Sequence, residues 1–157
     1  MGLKFLDESQ KELMAHFGVA FYYAQMIENT TFFICSFKHF TRIKADTPNA
    51  YEVYKEKMKG KTLGKLFNEL GNEFPEVYKI IPKERFSKIK NIRDNLAHKY
   101  FRDGLEKFLL SPNKIEMIKE IDGFAYELMT FDDELEKINN GFMGEAAERI
   151  NKFLGGI

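Results

Sequence analysis

The chain has 157 residues, 44% of them hydrophobic and 31% charged, and its formal net charge is zero. That is long enough for one packed core and too apolar for a disordered segment. The single cysteine, Cys35, excludes an internal disulfide, and no run of 18 apolar residues offers a membrane span. The opening Met1-Gly2-Leu3-Lys4-Phe5 lacks a signal-peptide core, which with the lone thiol points to a reducing, cytoplasmic setting.

Taken in order, Ser9-Gln10-Lys11-Glu12 has the form of a capping box, in which the serine accepts from a free backbone N–H and the glutamate reaches back. Leu13, Met14, Phe17, Phe21, Ala24 and Ile27 then recur at spacings of three and four, the apolar face of a helix. Thr31 to Arg42 either continues this helix or forms a second one after a bend. Its Phe32, Phe33, Ile34, Phe37 and Phe40 are apolar nearly all round, which implies deep burial or a partner surface. Asp46-Thr47-Pro48 reads as a stop and restart, with Thr47 as N-cap and Pro48 at the first helical position.

A helix from about Pro48 to Lys59 follows, closed by Gly60. A short helix opens at Thr62-Leu63-Gly64 and is closed by Gly71, and Gly64 suits a close helix crossing. Pro75 and Pro82 each suit the start of a helix, and Asp103-Gly104 reads as a turn. Ser111-Pro112 caps a last long helix to about Asn139. Asn140-Gly141 is expected to break it, with a short helix following to Leu154. β-branched residues are sparse and no alternating run reads as a strand. The expected fold is therefore all-α: an antiparallel helical bundle of four to five main helices, one domain over residues 1–157.

The neutral total conceals an uneven distribution. Between Lys79 and Arg102 eight cations face two anions, whereas from Asp103 onward six cations face twelve anions. A local basic segment can hold a phosphate backbone, with Lys90, Lys99 and Arg102 as candidate RNA contacts. Basic and acidic helices that pair with each other, or are merely solvated, account for the same pattern equally well.

Within the basic segment lies Asn91-Ile92-Arg93-Asp94-Asn95-Leu96-Ala97-His98-Lys99-Tyr100-Phe101. Phe86, Ile89, Ile92, Leu96 and Tyr100 form its apolar stripe. On a straight α-helix His98 lies about 140° round from Arg93 and about 7.5 Å along the axis, so the two side chains do not meet easily. They converge if the helix ends near His98, or if two copies pack around a dyad and each supplies half a site. Asp94 and Asn95, one turn before His98, are placed to orient its ring. A neutral imidazole can take a 2′-OH proton and a guanidinium can stabilise phosphorane oxygens, the requirements of metal-independent RNA cleavage.

Arg93-x4-His98-x-Tyr100 resembles the active-site motif of the HEPN superfamily, in the form found in HepT-type toxins of bacterial toxin–antitoxin pairs. The resemblance implies an endoribonuclease with Arg93 and His98 catalytic at a homodimer interface, Asp94 and Asn95 supporting, and no cofactor. It also implies a nucleotidyltransferase antitoxin that modifies Tyr100, although the place of Tyr100 on the apolar stripe argues for a packed ring. One residue departs from the pattern: Asp94 stands where Asn is commoner in the family, and an anion there weakens a phosphate site. Superfamily members without nuclease activity exist, so a non-catalytic homodimeric interaction module is the alternative.

Other chemistry is poorly supported by the residues. His16, His39 and His98 are scattered, and no His/Cys/Asp/Glu group has metal-ligand spacing. Cys35 sits in an apolar helix without a neighbouring base, as a core thiol does. The glycines form no phosphate-binding loop. The run Asp132-Asp133-Glu134-Leu135-Glu136 reads as a solvated acidic face that could also meet a basic partner.

Overall fold

A computed structural model describes residues 6–43, 49–111 and 114–155. The chain is all-α, with no strand among the described residues. Its helices are α1 (Glu8–Ile43), α2 (Ala50–Met58), α3 (Leu63–Glu73), α4 (Val77–Ile80), α5 (Lys83–Asp94), α6 (Tyr100–Leu110) and α7 (Ile115–Gly155). A π-helical turn, Asn95–Lys99, separates α5 from α6. None of these helices is long and apolar enough to cross a membrane.

The first cap lies two residues earlier than expected. Asp7, rather than Ser9, accepts from the Gln10 backbone N–H at 2.8 Å, and the Gln10 side chain reaches back to the Asp7 N–H at 3.0 Å. This is the same reciprocal logic with Asp and Gln in place of Ser and Glu. From there α1 continues unbroken to Ile43. The hydroxyls of Ser36 and Thr41 bond back to the carbonyls of Phe32 and Phe37, at 2.8 and 2.7 Å, rather than ending the helix.

Three expected breaks are absent. Gly71 lies inside α3, Asp103-Gly104 inside α6 and Asn140-Gly141 inside α7. An interior glycine costs a helix about 1 kcal/mol, which the packing of flanking side chains such as Ile138 and Phe142 can outweigh. Gly60 does end α2, with φ at 72°. Pro82 immediately precedes α5 and Pro75 stands two residues before α4. Ser111 caps the C-terminus of α6 rather than opening α7. Thr47, Pro48 and Pro112 lie outside the described residues.

The described chain forms two compact units, and α1 and α7 each contribute to both. The first draws on the chain up to Met26 and on Glu84–Phe131. Its core takes Leu13, Ala20 and Ala24 from α1, Phe86, Ile89 and Ile92 from α5, and Ile121, Leu128 and Phe131 from α7. Phe17 packs on Phe101 with centroids 4.7 Å apart, and Phe86 meets Phe131 edge-on at 5.1 Å.

The second unit draws on Ile27–Lys83 and on the chain from Asp132 onward. Ile34, Cys35, Leu63, Leu70, Val77 and Leu135 are buried in it. A close approach is found at Gly71, where a Cβ would collide with the Tyr78 ring, 2.9 Å from its Cε2.

This unit also buries an acid, Asp132, with no ion pair among the described residues. The Thr30 hydroxyl lies 3.2 Å from Asp132 Oδ1 and 3.0 Å from Glu136 Oε1, yet has one proton to donate. Burial first, and repulsion from Glu136 and Asp133 after it, raise the Asp132 carboxyl above the usual aspartate range despite the Thr30 bond. A carboxyl raised in the folded state penalises folding while ionised, and the penalty fades as pH falls through the folded value and ends below the unfolded one. Asp132→Asn is therefore expected to raise Tm at pH 7, with the gain shrinking towards zero at pH 3. A lower Tm for the variant at pH 7, read by circular dichroism, would contradict this.

Candidate active site on the π-helical turn

The expected stripe of α5 is buried throughout: Phe86, Ile89 and Ile92, then Leu96 at 3% and Tyr100 at 7% exposure. Ile92, Leu96 and Tyr100 are spaced by four, and in a helix of 3.6 residues per turn such a series drifts out of line. The π turn holds one residue more and offsets the drift. Its marker is the Tyr100 N–H, which donates to the carbonyl of Asn95, five residues back. The widened turn overlaps the Arg-x4-His segment and keeps Leu96 and Tyr100 on the buried side.

The turn also changes the relation between Arg93 and His98. Each residue of a wider turn advances by less than 100°, so His98 rotates back from the 140° of a straight helix towards the Arg93 side. Arg93, the penultimate residue of α5, is half-buried, and its Nη1 lies 3.5 Å from Asp94 Oδ1. His98 is exposed, and its ring has no hydrogen bond among the described residues. The two candidate catalytic groups thus differ in setting, one partly packed and one open to solvent.

The carboxylate placed to orient His98 is engaged elsewhere. Asp94 accepts from Lys90 Nζ at 3.0 Å and lies against Arg93. Asn95 is half-buried and opens onto clefts on either side of the turn. The Tyr100 ring is packed, and its hydroxyl donates inward to the Met117 carbonyl at 3.2 Å, with Glu120 Oε2 at 3.5 Å. Burial, with Glu120 adding to it, pushes the Tyr100 hydroxyl up to about 12.

Several cations of the basic segment are neutralised locally. Arg85 and Lys88 on α5 both meet Glu127 on α7, each at 2.8 Å, and this holds the Glu127 carboxyl below its usual range. Arg102 lies 3.0 Å from Asp103. Of the three candidate RNA contacts, Lys90 and Arg102 therefore carry ion pairs. Lys99 is exposed, with none among the described residues. Glu127 lies 42 residues from Arg85, so neither this pairing nor the role of Glu120 beside Tyr100 was visible in local sequence.

Two more histidines acquire partners from distant sequence. His16 Nδ1 lies 2.6 Å from Asp122. His39 Nδ1 lies 2.9 Å from Glu73, whose two oxygens also take a bidentate contact from Arg42 at 3.0 and 3.1 Å. The Tyr54 ring stacks on His39 with centroids 4.2 Å apart. The Cys35 thiol is buried and pushed up to about 12 by desolvation, with Glu69 and Glu73 adding to it, which suits a core thiol and not a nucleophile. Among the described residues no group of three His, Cys, Asp or Glu side chains could hold a metal ion. Compared with known protein families, curated proteins and solved structures, the chain matches none.

Proposed function

We propose that this protein is a metal-independent endoribonuclease of HEPN type, an antiparallel helical bundle acting as a homodimer, in which Arg93 and His98 carry the reaction. The observation that supports this best is the exposed ring of His98, without a hydrogen-bond partner among the described residues, on a π turn one turn beyond a half-buried arginine. π turns inside α-helices occur often at functional sites. In this reading the His98 imidazole takes the proton of a 2′-OH, which attacks the adjacent phosphorus and expels the 5′-oxygen of the next nucleotide. The Arg93 guanidinium stabilises the charge on the non-bridging oxygens. With Asp94 held by Lys90 and Arg93, the groups that orient His98 come from a second copy or from the RNA.

A toxin–antitoxin or phage-defence setting belongs to the same proposal. A nucleotidyltransferase antitoxin reaches Tyr100 only if the hydroxyl leaves the Met117 carbonyl. The alternative, a non-catalytic homodimeric module, is favoured by the pairing of Lys90 and Arg102 with carboxylates, which leaves less positive charge for a phosphate backbone.

Mixing inactive variants tests the shared site. In a two-fold dimer whose sites take Arg93 from one copy and His98 from the other, a heterodimer of Arg93→Ala with His98→Ala restores one intact site. An equimolar, re-equilibrated mixture should then recover about a quarter of wild-type cleavage. No recovery, in a mixture shown by native mass spectrometry to contain heterodimers, would mean that each copy carries its own complete site. A monomer at micromolar concentration would remove the dimer altogether.

A further inference from the structure

In the first compact unit, α1 shows solvent a face that carries no charge. Residues 13–27 hold no Lys, Arg, Asp or Glu, in a chain that is 31% charged. The exposed positions between Leu13 and Met26 are Ala15, Gly18, Val19, Tyr22 and Gln25, with Val19 52% and Tyr22 55% exposed. Ala15, Gly18, Tyr22 and Gln25 follow one another by three, four and three, so they share a face about 15 Å long. α7 reaches α1 here, with Asp122 2.6 Å from His16, and next to that contact it exposes Gly123 and Tyr126, the latter by 62%. Large apolar side chains exposed together without charge mark an interaction surface.

The face fits a copy of itself turned end for end. Its spacing reads the same in both directions about the level of Ala20, while its side chains are small at one end, Ala15 and Gly18, and large at the other, Tyr22 and Gln25. In an antiparallel pair related by a two-fold axis, Tyr22 of each copy therefore falls opposite Gly18 of the other, and Gln25 opposite Ala15. Gly18 has no role within its own chain. A Cβ there would meet nothing within 4 Å and its φ is not left-handed, so neither packing nor backbone asks for a residue that weakens a helix interior. A bare backbone lets an outside helix approach closely. Two such faces meet without like-charge repulsion, and neither offers a nucleic acid or an anionic membrane a cation to hold.

We infer that this face of α1, with Tyr126 beside it, is an interface between two antiparallel copies of this chain, in which Tyr22 packs over Gly18 on both sides of the axis. It lies on a different helix from Arg93 and His98 and does not depend on the ribonuclease reading. If copies also pair about Arg93 and His98, the two kinds of two-fold contact together build a tetramer.

Sedimentation of the full chain at micromolar concentration, with no RNA present, tests this. The wild type should run as a dimer or tetramer. Gly18→Leu fills the space that Tyr22 of the second copy needs, and should weaken association about tenfold or more. Its helix content and melting should hold, because leucine finds open space within the subunit and favours a helix. Tyr22→Glu, at an exposed position, should weaken association likewise by setting charge into the interface. Val19→Cys, within one turn of the axis, should crosslink to its counterpart with a short bismaleimide, whereas Lys65→Cys on α3, also exposed, should not. The native Cys35 is buried and does not compete. A wild-type monomer would overturn the inference, and so would association unchanged in both Gly18→Leu and Tyr22→Glu. Equal crosslinking through Val19→Cys and Lys65→Cys would do the same. A monomer held by neutral phosphatidylcholine vesicles would overturn it in favour of a lipid surface.

Discussion

His98→Ala should lower RNA cleavage by about two to four orders of magnitude, the usual loss when a general base is removed. His98 is exposed and its ring holds no hydrogen bond among the described residues, so the melting curve should not move. Arg93→Ala should cost a similar amount through unstabilised charge in the transition state, about two to three orders. Arg93 is half-buried, so this variant also disturbs packing, and Arg93→Lys separates the two effects. Lysine keeps the charge and loses the planar fork, so it should remain folded while recovering only part of the rate. The assay is single-stranded RNA with chelator present and an all-deoxy substrate as control. Products should end in 2′,3′-cyclic phosphate, since in the proposed reaction the attacking group is the neighbouring 2′-OH. Equal cleavage by all variants would assign the activity to a contaminant, and the absence of wild-type cleavage on any RNA would move the reading to the interaction module.

Leu96→Ala should destabilise the fold by about 2–5 kcal/mol, as truncation of a buried leucine does. Leu96 is 3% exposed, on the π turn between Ile92 and Tyr100. For a chain of this size each kcal/mol lowers Tm by about 2–4 °C. The loss should be visible both in urea melts and as a Tm drop of about 5–20 °C. The interest lies in the comparison with His98→Ala, two residues away. One side chain should govern stability and the other activity, because the same turn directs Leu96 into the core and His98 to solvent. A cost below about 1 kcal/mol for Leu96→Ala would mean that the turn relaxes to a regular helix and closes the cavity.

The helical periodicity of the chain was enough to determine an all-α fold and the buried face of α5, because spacings of three and four bury one side of a helix wherever the rest of the chain lies; on α1 it was right for Leu13, Ala24 and Ile27, whereas Phe17 and Phe21 are half-buried and Phe33 is exposed. It determined that Tyr100 packs inward, since its position continues the stripe of Ile92 and Leu96, and that Cys35 is a core thiol. Local punctuation was less informative. Gly71, Gly104 and Gly141 are weak breakers whose cost of about 1 kcal/mol is settled by burial on either side, which is a tertiary quantity.

Tertiary structure alone decided where the charges go. Arg85 and Lys88 find Glu127 on another helix, and His39 finds Glu73 34 residues away, because packing brings together side chains that no local spacing relates. It also decided the geometry of the candidate site. The motif names Arg93 and His98, but a one-residue change in the width of a helical turn sets the angle between them. That change follows from keeping Leu96 and Tyr100 buried together, a demand made by the core and not by the motif.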